Sequence, residues 1–148
     1  MPLPEFKHGY LPNPLPNYEA DLKEIETRFA HTGPREDLWD AFCEILGELD
    51  ALAKPRCVHL DHDFVSEKGV PNRLNIAVPM PKGKGQMYAK VAPLLAEFSK
   101  RGVGVFFYAD DVAMREQLFG TFECIAPIDE ADRKLGPKFR KAFVSVRR

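Results

Sequence analysis

Five prolines fall within the first sixteen residues: Pro2, Pro4, Pro12, Pro14 and Pro16. Each fixes φ near −65° and removes a backbone donor, so this segment cannot be a helix or a central strand. Phe6, Tyr10, Leu11 and Leu15 lie between them, which makes the segment apolar as well as extended. Such an arm is expected to lie across a core rather than hang free. The chain therefore divides into an extended arm over residues 1–17 and a single domain over 18–148.

With 148 residues, of which 45% are hydrophobic and 29% charged, the chain is long enough for one real core and too apolar for disorder. No run approaches the roughly 18 apolar residues a spanning helix needs. The N-terminus lacks a basic-then-apolar export pattern. Cys43, Cys57 and Cys124 are odd in number and widely spaced, which suits a reducing cytosol better than a disulfide framework. A cytoplasmic location is expected on these grounds.

Asn17 reads as an N-cap, with Leu22, Ile25 and Phe29 at helical spacing, so residues 18–30 are expected to form a helix. Pro34 suits the first turn of a second helix over 35–53, whose stripe is Leu38, Phe42, Ile45, Leu46, Leu49 and Leu52. Strands are expected at 56–61 and 74–78. A third helix over 86–100 is kinked or restarted at Pro93 and capped by Gly102. Val103 to Tyr108 is strongly β-prone. Asp110 and Asp111 open a short segment, and Phe119 to Ile125 and Phe139 to Val146 read as further strands. The order argues an α+β domain, a small mixed sheet with helices packed on it.

The informative stretch is Leu60-Asp61-His62-Asp63-Phe64-Val65-Ser66 followed by Val70-Pro71-Asn72-Arg73-Leu74-Asn75-Ile76. It resembles the signature of the nucleotidyltransferase superfamily (polymerase-β-like), in which a first strand ends in Gly-Ser and a second carries Asp-x-Asp. More narrowly the chain resembles small bacterial and phage nucleotidyltransferase-like proteins with a Pro-rich opening arm, here Pro4 to Pro12. Their closing strand corresponds to Asp132 to Val144. The resemblance implies a nucleotidyltransferase-like fold and four chemical positions, all of which depart here. The Gly and Ser places hold His62 and Asp63; the two metal-binding Asp places hold Arg73 and Asn75.

Those departures bear on the chemistry. Asp63 would meet a phosphate with like charge, a repulsion of roughly 4 kcal/mol at 4 Å and an effective dielectric of 20. Arg73 cannot ligate a divalent ion and Asn75 is a neutral, weaker ligand. The resemblance thus implies a scaffold that has lost catalysis and works by binding a protein partner, with no cofactor. A phage-encoded inhibitor of host defence or an antitoxin-like partner is the role it suggests.

Two other readings stand beside it. His59, Asp61 and Asp63 are spaced i, i+2, i+4, on one face of an extended strand, and could hold a divalent metal for a displaced nucleotidyltransferase or hydrolase site. The plainer reading makes the two Asp turn residues and His59 a satisfied strand residue. Asp110 and Asp111 could supply a further carboxylate, or simply begin a helix. Separately, Arg133, Lys134, Lys138, Arg140, Lys141, Arg147 and Arg148 close the chain with no acid among them, so the first 132 residues are net acidic. With Phe139 and Phe143 this tail could bind nucleic acid, or be a strand with its charges outward, which we prefer. Lys82-Gly83-Lys84-Gly85 could cradle phosphate but lacks a P-loop pattern. Cys57 and His59 could form a nucleophile pair, but no orienting acid is evident.

Overall fold

The computed structural model describes residues 3–6, 10–11, 17–61, 63–66, 70–80, 86, 88–122 and 143–148. Five strands form one mixed sheet: β1 (Asn17–Ala20), β2 (Cys57–Asp61), β3 (Leu74–Met80), β4 (Val103–Ala109) and β5 (Phe143–Arg147). Their order is β1-β5-β2-β3-β4. β5 runs parallel to β1 and antiparallel to β2, β2 antiparallel to β3, and β3 parallel to β4. The expected α+β class, with a mixed sheet and packed helices, is what the described residues form. No helix among them is long and apolar enough to cross a membrane.

Alternation along the strands separates two faces. Tyr18, Ala20, Val58, Leu60, Leu74, Ile76, Val78, Val103, Val144 and Val146 turn to one side and join the main core. That side is covered by α1 (Leu22–Phe29), α2 (Gly33–Leu52), a 3₁₀ segment (Ala89–Leu94) and α3 (Leu95–Lys100). The other side carries Cys57, His59, Asp61, Asn75, Ala77, Gly104, Phe106, Tyr108, Phe143 and Ser145. Ala77, Tyr108 and Phe143 make a small second cluster there with Leu118 of α4 (Val112–Phe122).

The long α2 forms where its apolar stripe predicts, with Pro34 in its first turn. Arg35 on that turn is only 2% exposed. It donates to the carbonyls of Phe29 (3.3 Å), Phe64 (2.7 Å) and Ser66 (2.7 Å), tying the helix to the segment after β2. The arm packs where it is described. Leu11 and Tyr10 are buried, Phe6 lies 6.1 Å from Phe29, and Arg28 donates to the Pro4 carbonyl at 2.7 Å.

Several local expectations are corrected. Residues 17–20 are a strand, not the start of a helix capped by Asn17. Tyr18 and Ala20 reach the core with a period of two, and the backbone pairs with β5, a partner more than 120 residues away. Asp21 caps α1 instead: its carboxylate accepts from the Glu24 amide at 2.8 Å, and Glu24 accepts from the Asp21 amide at 3.4 Å. This reciprocal pair satisfies two amide donors at the start of an eight-residue helix too short to stand alone.

Phe119 to Phe122 belong to α4 rather than to a strand, so helix propagation from the Asp111 cap overrides their β propensity. Residues 123–125 and 139–142 lie outside the described part. The third helix is restarted at Pro93 as expected, a 3₁₀ stretch giving way to α3. Gly102 follows it with φ +92°, where a Cβ would lie 2.9 Å from the Asn72 carbonyl oxygen. Its own carbonyl accepts from the Leu74 amide at 2.8 Å, so the turn is also the first rung beside β3.

Candidate functional site

The second face of the sheet concentrates the polar chemistry, and its two ends differ. At one end, β2 and β3 pair so that Asp61 sits opposite Asn75, and β3 pairs with β4 so that Asn75 sits opposite Gly104. Asp61 is buried. Arg73 Nε donates to Asn75 Oδ1 at 2.7 Å. The pair lies over Gly104, where a Cβ would come within 2.3 Å of Arg73 Nη2 and 2.7 Å of Asn75 Oδ1. The bare glycine therefore makes room for the guanidinium on the sheet.

Toward the other end, His59 is 4% exposed and lies between two hydroxyls. Its Nδ1 is 2.6 Å from Ser145 Oγ on β5 and its Nε2 is 2.8 Å from Tyr108 Oη on β4. Strand register brings them together: Ser145 is directly opposite His59, and Tyr108 is reached across β3. Cys57 Sγ is 3.7 Å from Nε2. Burial, aided by the cations of Arg56 and Arg115, pushes the His59 pKa down to about 4 despite Asp110 nearby. The ring is neutral at pH 7, donating from one nitrogen and accepting at the other. Burial likewise raises the Tyr108 hydroxyl and the Cys57 thiol, so both stay protonated.

Beside this row, Asp110 accepts from Arg56 Nε and Nη2, each at 2.8 Å, and from Arg115 Nη2 at 3.3 Å. The Arg56 hydrogen bonds above all hold the Asp110 carboxyl below its ordinary range. A cleft of about 360 Å³ opens here, lined by Glu19, Arg56, Cys57, His59, Arg115, Ser145, Val146, Arg147 and Arg148.

The sequence-derived residues are distributed as follows. His59 and Asp61 share a face of β2; Asp63 opens a 3₁₀ turn (Asp63–Val65), its side chain outside the described part, as is His62. Among the described residues no three His, Cys, Asp or Glu side chains gather in a metal-sized group. Asp110 and Asp111 are not a further carboxylate for the Asn75 end. Asp110 lies six positions after Gly104, roughly 20 Å away at about 3.3 Å per residue along β4. Asp111 instead caps α4, accepting from the Met114 amide at 2.8 Å.

Lys82 to Gly85, Arg133, Lys134, Lys138, Arg140 and Lys141 lie outside the described residues. Arg147 pairs with Glu24 at 3.0 Å and Arg148 with Asp50 at 2.6 Å. Ser145, Tyr108, Arg56, Arg115 and Glu19 were not legible as site residues. Each reaches the site through strand pairing or an ion pair with a distant segment.

This is an α+β protein in which α1, α2 and α3 cover one sheet face and polar residues gather on the other. A family model matches residues 4–143, and the chain belongs to that family, DUF6932, a family of unknown function. Neither the curated proteins nor the solved structures yield a match.

Proposed function

We propose that this chain is a nucleotidyltransferase-like domain that has given up catalysis and acts as a binding module for a protein partner. An inhibitor of host defence or an antitoxin-like role is the setting we propose for it. The observation that carries the reading is the Arg73–Asn75 pair. It occupies the positions where the resemblance calls for two metal-binding carboxylates, and it closes on itself over Gly104.

Divalent ions in phosphoryl transfer require anionic oxygens to hold them and offset their charge. A guanidinium there repels the metal and gives it no lone pair. The antiparallel contact of β2 with β3 supports the same reading, because the two motif strands of the resemblance are neighbours. The displaced-metal alternative would require His59 to release one of its hydroxyl partners, since both ring nitrogens are within hydrogen-bond distance of one. A nucleic-acid role for the tail would require Arg147 and Arg148 to leave their acids.

The experiment is a gain of function. Wild-type protein is incubated with the four nucleoside triphosphates and Mg²⁺ or Mn²⁺, beside an Arg73→Asp, Asn75→Asp double variant. No turnover is expected from either. Mn²⁺-dependent thermal stabilisation is expected only from the variant. Nucleotide turnover by the wild type would overturn the loss of catalysis. A folded variant without metal response would overturn the assignment of these two positions.

A further inference from the structure

We propose that the cleft over His59 and Ser145, walled by Arg56, Arg115, Arg147 and Arg148, binds a small phosphate-bearing molecule through its oxyanion. Among the described residues the lining carries four guanidiniums against one carboxylate, Glu19. The volume of about 360 Å³ falls in the range of small-ligand sites.

The guanidiniums are held from behind. Asp110 clamps Arg56 and Arg115 together, Glu24 holds Arg147, and Asp50 holds Arg148. None of these three acids lines the cleft, so they fix the cations in place without filling the space between them. One carboxylate between two arginines leaves the Arg56–Asp110–Arg115 trio with a positive charge.

Two donors of these arginines, Arg115 Nε and Arg148 Nη1, are buried and have no acceptor among the described residues. The Arg148 side chain is only 9% exposed. A guanidinium is always charged and only donates, so a buried N–H of this kind calls for an acceptor. The planar fork of arginine matches the paired oxygens of a phosphate, and a single oxyanion can take several such donors. The floor adds no opposing charge: the Ser145 hydroxyl and the His59 ring, neutral and held by Ser145 and Tyr108, carry none. This site is at the end of the sheet face away from Arg73 and Asn75, and stands or falls independently of the proposed loss of catalysis.

The test is calorimetric titration with inorganic phosphate and, separately, with glycerol 3-phosphate, at constant ionic strength set with chloride. Saturable binding is expected from at least one. Preference for the first points to the free ion and preference for the second to a phosphate ester. Arg115→Gln and Arg148→Gln are each expected to weaken binding about 10-fold or more. Arg101→Gln, an exposed arginine paired with Glu44 elsewhere, is expected to leave it unchanged.

Should the cleft variants fail to fold, the wild type still decides the matter. Bound phosphate is expected to slow alkylation of Cys57, which lines the cleft, and not of exposed Cys43. Absence of saturable binding, or equal loss in Arg101→Gln, or equal protection of the two thiols, would overturn the proposal.

Discussion

The two faces of the sheet are made from alternate residues of the same five strands, yet they are held by different forces. On the helical face the strands contribute Val58, Leu60, Ile76, Val78, Val144 and Val146, which pack without direction against Ile25, Phe42, Ile45 and Leu49. On the other face His59, Ser145 and Tyr108 meet through hydrogen bonds of 2.6 and 2.8 Å, and Arg56, Asp110 and Arg115 through ion pairs. Apolar packing tolerates exchange of one aliphatic for another. A buried polar row does not, because a donor or acceptor left without a partner incurs its full desolvation cost. The helical face is therefore where the stability of this domain should reside, and the polar face where its responses to pH and ligands should reside.

The largest expected effect tests the first half of that contrast. Ile76 is fully buried on β3 between β2 and β4. Ile76→Ala is expected to cost about 3 kcal/mol, the lost transfer energy plus the cavity, read from the urea midpoint. A loss below about 1 kcal/mol would mean that the helical face is loosely packed.

Next in size is a pH effect belonging to the polar face. The His59 pKa lies near 4 in the folded protein against 6.5 for the unfolded chain. Between those values the unfolded chain binds the extra proton, so stability is complete above pH 6.5 and falls as the pH drops toward 4. The shift corresponds to a loss of roughly 3 kcal/mol at most. Denaturation of the wild type at pH 7, 5.5 and 4.5 should display this slope, and His59→Asn should flatten it. An unchanged slope in the variant would place the proton elsewhere.

Gly102 ranks third. With φ +92° and the Asn72 carbonyl 2.9 Å from where a Cβ would stand, Gly102→Ala should cost on the order of 2 kcal/mol. This glycine sits where α3 ends and β4 begins, against Leu38 of the helical face.

How much of each face the sequence discloses follows from the same contrast. The α2 stripe, the Gly102 cap and the aliphatic runs of β2 to β4 are local periodicities, so they can be read without knowing the fold. Arg35 could not be read this way: its partners are carbonyls of Phe64 and Ser66, and carbonyls carry no sequence signature. Residues 17–20 read as a helix start because Asn17 and the acids after it suit one, and only pairing with distant β5 makes them a strand. His59 was visible as an unusual residue on a strand. Its environment was not, since Ser145 and Tyr108 arrive through a strand order that departs from sequence order. Asp110 was legible as an acid at a helix start and not as the clamp on Arg56 and Arg115.

A smaller effect separates stability from recognition on the polar face. Arg56 and Arg115 are each more than a third exposed, so their pairs with Asp110 are partly screened. Asp110→Asn should lower stability by about 1 kcal/mol or less. It also removes the negative charge that offsets two of the four arginines, so phosphate should bind the cleft more tightly. Weaker phosphate binding in a folded variant would mean that Asp110 serves chiefly to hold the arginines in place.

The smallest expected effect belongs to Gly104, two residues from Gly102 and on the opposite face. A Cβ there would approach 2.3 Å from Arg73 Nη2 and 2.7 Å from Asn75 Oδ1, the first of these closer than anything at Gly102. The obstacles are nevertheless the tips of two side chains rather than backbone, and both can swing aside. Replacing glycine within a strand also returns about 0.5–1 kcal/mol of backbone entropy. The Arg73–Asn75 hydrogen bond that would be lost is worth a similar amount. Gly104→Ala should therefore lie within about 0.5 kcal/mol of the wild type, against a substantial loss for Gly102→Ala. A cost near that of Gly102→Ala would show that the Arg73–Asn75 pair is fixed as firmly as a core contact, and the contrast between the two faces would not extend to this end of the sheet.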